Sequence, residues 1–177
     1  SLHLVFEKNS VIKSPDFECH IQTDAQRMAQ NNSLLSSGPG DIDDQKLRKY
    51  RLALSCTGEY AQNFAGTGTE AQQKTNVLAA MVTSINRVNE IYERDLGIRL
   101  LLVANNDEVI FLNPNTDPWN NEYNTTTAQT LDNIIGVSNY DIGHNYNDSG
   151  GGNAGCLGCV CAAVSQNNFH KGRGWTC

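Results

Sequence analysis

No His-Glu-x-x-His stretch occurs in the chain, and none of His3, His20, His144 and His170 has a second histidine three or four residues away. A helix brings residues at those spacings onto one face, so no helix here can turn two imidazoles toward one metal ion. A G-x-S-x-G elbow is missing as well, which removes the usual exposed serine nucleophile. Gly150, Gly151 and Gly152 are followed by Asn153 and Ala154 and not by Lys-Ser or Lys-Thr, so they do not make a phosphate loop. Charge is scarce: 18% of residues are charged and the net charge is -6, without a basic stripe. Phosphate backbones need clustered Lys and Arg, so no nucleic acid is expected as a partner. The longest apolar stretch, residues 98–104, is interrupted by Arg99 and falls far short of the roughly 20 residues of a membrane helix, so no membrane is expected either. Residues 1–6 lack a basic region followed by an apolar core, and any export signal is expected to have been removed or left out.

What is present is a chain of 177 residues, the size of one domain able to bury a substantial core. Hydrophobic residues make up 39% of it, and Asn, Gly, Ser and Thr fill the space that charge leaves. Six cysteines stand at 19, 56, 156, 159, 161 and 177. Cys156-x-x-Cys159 has the spacing of half a zinc knuckle, but no second such pair follows. Disulfides in an exported protein suit the even count and the Asn-rich surface better. The spacing alone fixes no pairing.

Residues 24–44 are rich in Gln, Asn, Ser, Gly and Asp around the Gly38-Pro39-Gly40 breaker, and residues 1–47 read as a tail or linker. From Lys49 the pattern changes. Tyr50, Leu52 and Leu54 alternate with Arg51, Ala53 and Ser55 as in a half-buried strand. Over residues 75–96, Val77 or Leu78, Met81, Ile85, Val88, Tyr92 and Leu96 recur every three or four positions, which predicts an amphipathic helix. Thr75 is the expected cap and Gly97 the expected stop. Residues 98–103 read as a buried strand, and residues 108–112 as a second short one. Strand, long helix, strand is an α/β pattern that makes the strands flanking the helix parallel.

Residues 113–127 form a polar loop; Asp117 and its Asn neighbours lack EF-hand spacing, so a solvated loop is expected rather than a calcium site. A short helix over 128–136 follows, with Leu131, Ile134 and Ile135 on one face, and then a strand over 140–146 with Tyr140, Ile142 and His144 on one side. A lone strand histidine such as His144 reads as a hydrogen-bonded core or near-surface residue. The glycine triplet is expected to be a sharp exposed turn delivering a strand over 154–161 to the sheet edge. There Ala154 and Gly155 leave room for a second chain to pair with free backbone groups, as in β-augmentation. A glycine-weakened edge that pairs with nothing is the other reading.

Four blocks, YRLALSCTGEYAQNF from Tyr50, INRVNEIYERDLGIRLLLVANND from Ile85, YDIGHNYNDSGGGNAGCLGCVC from Tyr140 and KGRGWTC from Lys171, resemble the reprolysin-like zinc metallopeptidases of the metzincin group, closest to the bacterial secreted branch. The resemblance covers residues 50–177 in the same order. It implies a zincin-like upper subdomain over residues 48–177, preceded by a propeptide tail, with a mixed twisted sheet of five or so strands, one long backing helix and a shorter second helix. In that family three histidines bind zinc and a glutamate activates the metal-bound water, in a motif that follows the KGRG-like stretch. Such a motif is absent here, so the resemblance implies an N-terminal portion of a secreted endopeptidase. That portion is expected to bind no catalytic zinc and to be inactive without the remaining C-terminal part of the catalytic domain.

The same resemblance lays a peptide or protein substrate antiparallel along Asn153, Ala154, Gly155, Cys156, Leu157 and Gly158. It also pairs Cys161 with Cys177 in a disulfide. Residues 15–19 loosely resemble a zymogen switch in which the Cys19 thiolate would take the fourth position on zinc; a disulfide from Cys19 to another cysteine is the other reading. The rival expectation is a noncatalytic secreted module that recognises peptide or carbohydrate through the edge strand or the loop at residues 113–127.

Overall fold

The computed structural model describes residues 45–162 and 170–177. The linker expectation for residues 1–44, Cys19 included, lies outside the described residues. Strand β1 (Arg48–Cys56) leads through the short helix α1 (Gly58–Gln62) into the long helix α2 (Glu70–Leu96) and strand β2 (Ile98–Leu102). A 3-10 turn (Asn106–Val109) and helix α3 (Asn124–Ile134) follow, then strands β3 (Ile142–Tyr146), β4 (Gly152–Asn153) and β5 (Gly174–Thr176). The five strands form one mixed sheet in the order β2-β1-β3-β5-β4, parallel throughout except for the antiparallel pairing of β4 on β5. This is the mixed α/β sheet with a long helix and a shorter second one expected from the sequence, with α1 as an additional short helix.

Side chains of β1 alternate between two cores because successive residues of a strand point to opposite faces. Leu52, Leu54 and Cys56 pack with Val77, Met81 and Ile85 of α2, while Ala53 packs with Val109, Leu131, Ile135 and Tyr140 on the α3 side. The second half of β1 is therefore buried on both faces, not half-buried, as a central parallel strand must be.

Helix α2 begins earlier than its apolar stripe suggests. Thr69 Oγ1 accepts from the Gln72 amide and the Gln72 side chain accepts from the Thr69 amide, a reciprocal cap. Thr75, the expected cap, lies inside the helix and donates its hydroxyl to the Ala71 carbonyl at 2.8 Å. Gly97 stops the helix as expected, at φ 62. Val77, Met81 and Ile85 are buried, but Tyr92 and Leu96 at the far end are 38% and 49% exposed. The fourth buried residue of the stripe is Asn89.

Four strand expectations change. β2 is an edge strand of intermediate exposure, because only β1 flanks it. Residues 108–112 are not a strand: the 3-10 turn occupies their start, and Ile110 alone bridges to Cys56. β3 starts at Ile142; Tyr140 stays out of it and is buried in the α3-side core, opposite Ile142. Residues 154–161 are not a strand either, since Gly155, Gly158 and Cys161 take φ of 64°, 73° and 63°, far from the extended backbone of a sheet. The shorter helix begins at Asn124, ahead of the expected 128, and Ile134 is 37% exposed while Leu131 and Ile135 are buried. Among the described residues no helix is long and apolar enough to cross a membrane.

Candidate functional site

The free side of β4 is one edge of the sheet. Gly152 and Asn153 pair with Thr176 and Trp175, and the Gly151 carbonyl accepts from the Cys177 amide at 3.0 Å. Backbone groups alternate direction along a strand, so the groups of Gly151 and Asn153 face β5 while the N–H and C=O of Gly152 face away from it. Gly151 is buried, so the glycine triplet is not the fully exposed turn expected; Gly150 and Gly151, at φ 72° and 109°, bend the chain in conformations other residues avoid.

Of the residues expected along the edge, only Asn153 belongs to the strand. Its side chain accepts from the Gly155 amide at 2.6 Å, a turn that ends the strand. Ala154 is exposed, and its carbonyl accepts from the Cys156 amide at 2.7 Å. A Cβ at Gly155 would strike the Arg173 carbonyl and the Asn124 side-chain nitrogen, so its missing side chain serves packing inside the molecule. Asn124, which the sequence did not single out, ties this corner together: its amide nitrogen donates to the Arg173 carbonyl, and its oxygen accepts from the Trp175 indole at 3.3 Å. Leu157 and Gly158 are exposed at the tip beyond it.

Behind the tip lies a cavity of about 230 Å³ between the sheet and the 154–160 segment, lined among others by Ile142, His144, Cys156, Cys159, His170 and Gly174. His144 is only partly exposed, and burial lowers its imidazole pKa to about 4. The ring is thus neutral at ordinary pH. It fills the space over Gly174, where a Cβ would meet Nδ1 at 2.5 Å.

His170 is fixed in one tautomer. Its Nδ1 accepts from the Gly172 amide at 2.9 Å, so the proton of the neutral ring sits on Nε2, which donates to Asp132 Oδ2 at 3.0 Å. The other oxygen of Asp132 accepts from the Tyr140 hydroxyl at 2.7 Å. Lys171, also buried, donates to the Val137 and Tyr140 carbonyls and stands 4.3 Å over the Tyr140 ring; burial lowers its pKa. These contacts fasten the segment leading into β5 onto α3. Asp132 and His170 are 38 residues apart, and no local spacing could have announced the pair.

Cys156 and Cys159 are joined by a disulfide, and Cys56, Cys161 and Cys177 are free. The expected Cys161 to Cys177 bridge is not formed. The Cys161 amide donates to the Asp141 carbonyl ahead of β3, whereas Cys177 follows Thr176, whose carbonyl accepts from Asn147 beyond the end of β3. From Asp141 to Asn147 an extended strand spans about 20 Å, against the roughly 7 Å that a disulfide allows between Cα atoms.

The zinc implied by the resemblance finds no ligand set in these residues. Among the described residues no group of three or more His, Cys, Asp or Glu side chains could hold a metal ion. Both nitrogens of His170 are engaged within the protein, and two of the cysteines near the cavity are bonded to each other. No curated protein sequence matches the chain. The profile described as metallo-peptidase family M12B, reprolysin-like, matches residues 47–177, from the start of β1 through β5. The chain belongs to this reprolysin-like metallopeptidase family, whose members are proteases of the zinc-dependent kind.

Proposed function

We propose that residues 48–177 are the sheet-bearing, substrate-aligning portion of a secreted zinc-dependent endopeptidase, with the metal ligands supplied by residues outside this sequence. The observation that carries the reading is β4: an antiparallel strand at the open edge of the sheet, in a chain of a metallopeptidase family. An extended peptide meeting the outward N–H and C=O of Gly152 gains backbone hydrogen bonds whatever its side chains. The exposed Ala154, Leu157 and Gly158 then border the bound peptide, while Gly155 and the Cys156–Cys159 disulfide hold that border in place. Export is supported by the same disulfide, since such bonds persist in oxidising compartments.

The residues present bind and orient; they do not supply the metal-bound water that zinc peptidases use for hydrolysis. The 177-residue chain alone is therefore inactive. The test compares this chain with the same chain extended by its natural continuation, measuring zinc content and cleavage of an unfolded protein. Stoichiometric zinc and chelator-sensitive cleavage confined to the extended form support the proposal. Both properties in the 177-residue chain would overturn it. An extended form carrying neither would favour the noncatalytic peptide- or carbohydrate-binding module.

A further inference from the structure

Three cysteines fall within six residues immediately behind the sheet edge, and they are not equivalent. Cys156 and Cys159 share the disulfide; Cys161 is free and exposed. Cys159 and Cys161 lie in one tight turn, closed by a hydrogen bond of 2.9 Å from the Ala162 amide to the Cys159 carbonyl. Cys161 holds the left-handed position of that turn at φ 63°, a conformation a non-glycine residue takes only where its surroundings impose it. Two residues separated by one other in a turn have Cα atoms within about 7 Å, the reach of a disulfide. The backbone therefore brings Cys161 within the Cα range of a disulfide to Cys159. The thiolate is the form of a cysteine that attacks a disulfide.

We propose that Cys156, Cys159 and Cys161 form a thiol–disulfide exchange switch that alternates the bond between the 156–159 and 159–161 positions. The Cys161 thiolate attacks the Cys159 Sγ; the Cys159–Cys161 bond forms as the Cys156–Cys159 bond breaks. The electron pair leaves on the Cys156 sulfur, which takes up the proton that Cys161 gave to water. No oxidant or reductant is consumed. Cys177 is excluded from the exchange by its position at the other end of β3, and Cys56 by its complete burial.

The exchange has a structural consequence. In the 156–159 form a ring closes the tip and seats Cys156 in the cavity wall with Ile142 and His144. In the 159–161 form that ring is open, while the Asn153 to Gly155 turn and Gly155 against Arg173 still hold the start of the segment. The switch thus sets how firmly the segment after β4 is held. Its chemistry is independent of the peptidase reading.

The experiment uses the 177-residue chain, equilibrated without added thiol or oxidant, then quenched in acid to stop exchange. Alkylation and peptic mapping at low pH locate the free thiol within residues 156–161. The expected result is that this one thiol is divided between Cys161 and Cys156, with the 159–161 isomer above about one chain in a hundred, a gap of about 2.8 kcal/mol or less. The Cys161→Ser variant should leave Cys156 and Cys159 joined and unlabelled. Cys156→Ser, oxidised with glutathione disulfide, should close the 159–161 bond. A free thiol found on Cys161 alone, or a Cys156→Ser variant that yields only separate glutathione adducts on Cys159 and Cys161, overturns the switch.

Discussion

Asn106 exchanges two hydrogen bonds with Leu54: the Leu54 amide donates to Asn106 Oδ1 at 2.8 Å, and Asn106 Nδ2 donates to the Leu54 carbonyl at 2.9 Å. The carboxamide stands in for a strand. β2 pairs with β1 only as far as Leu52, and pairing resumes at Cys56 through Ile110 and Phe111. Between them the buried backbone of Leu54 would be unpaired without this side chain. Asn89 of α2 makes the same two contacts with Leu100, at 2.9 and 2.8 Å.

Replacing Asn106 by Ala is therefore expected to cost about 2 to 4 kcal/mol, because it orphans one buried donor and one buried acceptor. Asn106→Asp keeps the acceptor for the Leu54 amide but sets a carboxylate against the Leu54 carbonyl, and it should also destabilise. Urea unfolding with an unchanged denaturant slope measures both. A loss under about 0.5 kcal/mol for the alanine variant would mean that water replaces the amide.

The long helix offers a paired test of which residues face the core. Ile85 is 6% exposed within the cluster formed with Leu52 and Leu54, whereas Tyr92 is 38% exposed. Ile85→Ala should cost about 2 to 4 kcal/mol, and Tyr92→Ala under about 1 kcal/mol. Equal losses at both positions would place the whole stripe against the sheet, contrary to the structure.

The pattern of what the sequence revealed follows from the range of the forces involved. The helix over α2 was legible because its periodicity and Gly97 are local signals. Its start was misplaced because the Thr69 and Gln72 cap sits in a polar run without apolar neighbours. The strand expected over 108–112 failed because Asn106 supplies the hydrogen bonds that such a strand would have made to Leu54. The edge strand over 154–161 fails for a different reason: glycine signals both small size and conformational freedom, and at Gly155 and Gly158 the fold uses the positive φ. Contacts such as Asp132 to His170 and Asn124 to Trp175 depend on α3 meeting β5, and no spacing encodes them.

His144 makes stability depend on pH. Its folded pKa of about 4 lies below the ordinary 6.5, so the unfolded chain binds the proton more readily. The contribution is complete above pH 6.5 and is lost as pH falls from there toward 4; a shift of this size corresponds to about 3 kcal/mol. His144→Gln should flatten the stability profile across that window. A wild-type profile with no more slope there than the variant's would show that the ring takes its proton without opening the fold.

The substrate edge is tested most directly at Gly152, whose N–H points away from β5 and is the donor an incoming peptide would use. Gly155→Pro cannot serve, because Gly155 is packed against Arg173 and Asn124, and its amide is already bonded to Asn153. Gly152→Pro removes the outward donor while leaving Gly151 and Asn153 to hold β4 on β5. Gly152→Ala adds a Cβ beside Thr176 and the Trp175 carbonyl, both at 3.2 Å, and keeps the N–H, so it controls for bulk. In the form that carries the zinc ligands, kcat/KM for an extended peptide should be about tenfold lower for proline than for alanine. That is about 1.4 kcal/mol of transition-state binding, near the upper end of what one neutral hydrogen bond contributes. Circular dichroism establishes that both variants are folded. If the two agree within about twofold, under roughly 0.5 kcal/mol, the peptide does not pair with β4, and the exposed tip at Leu157 and Gly158 becomes the surface to test.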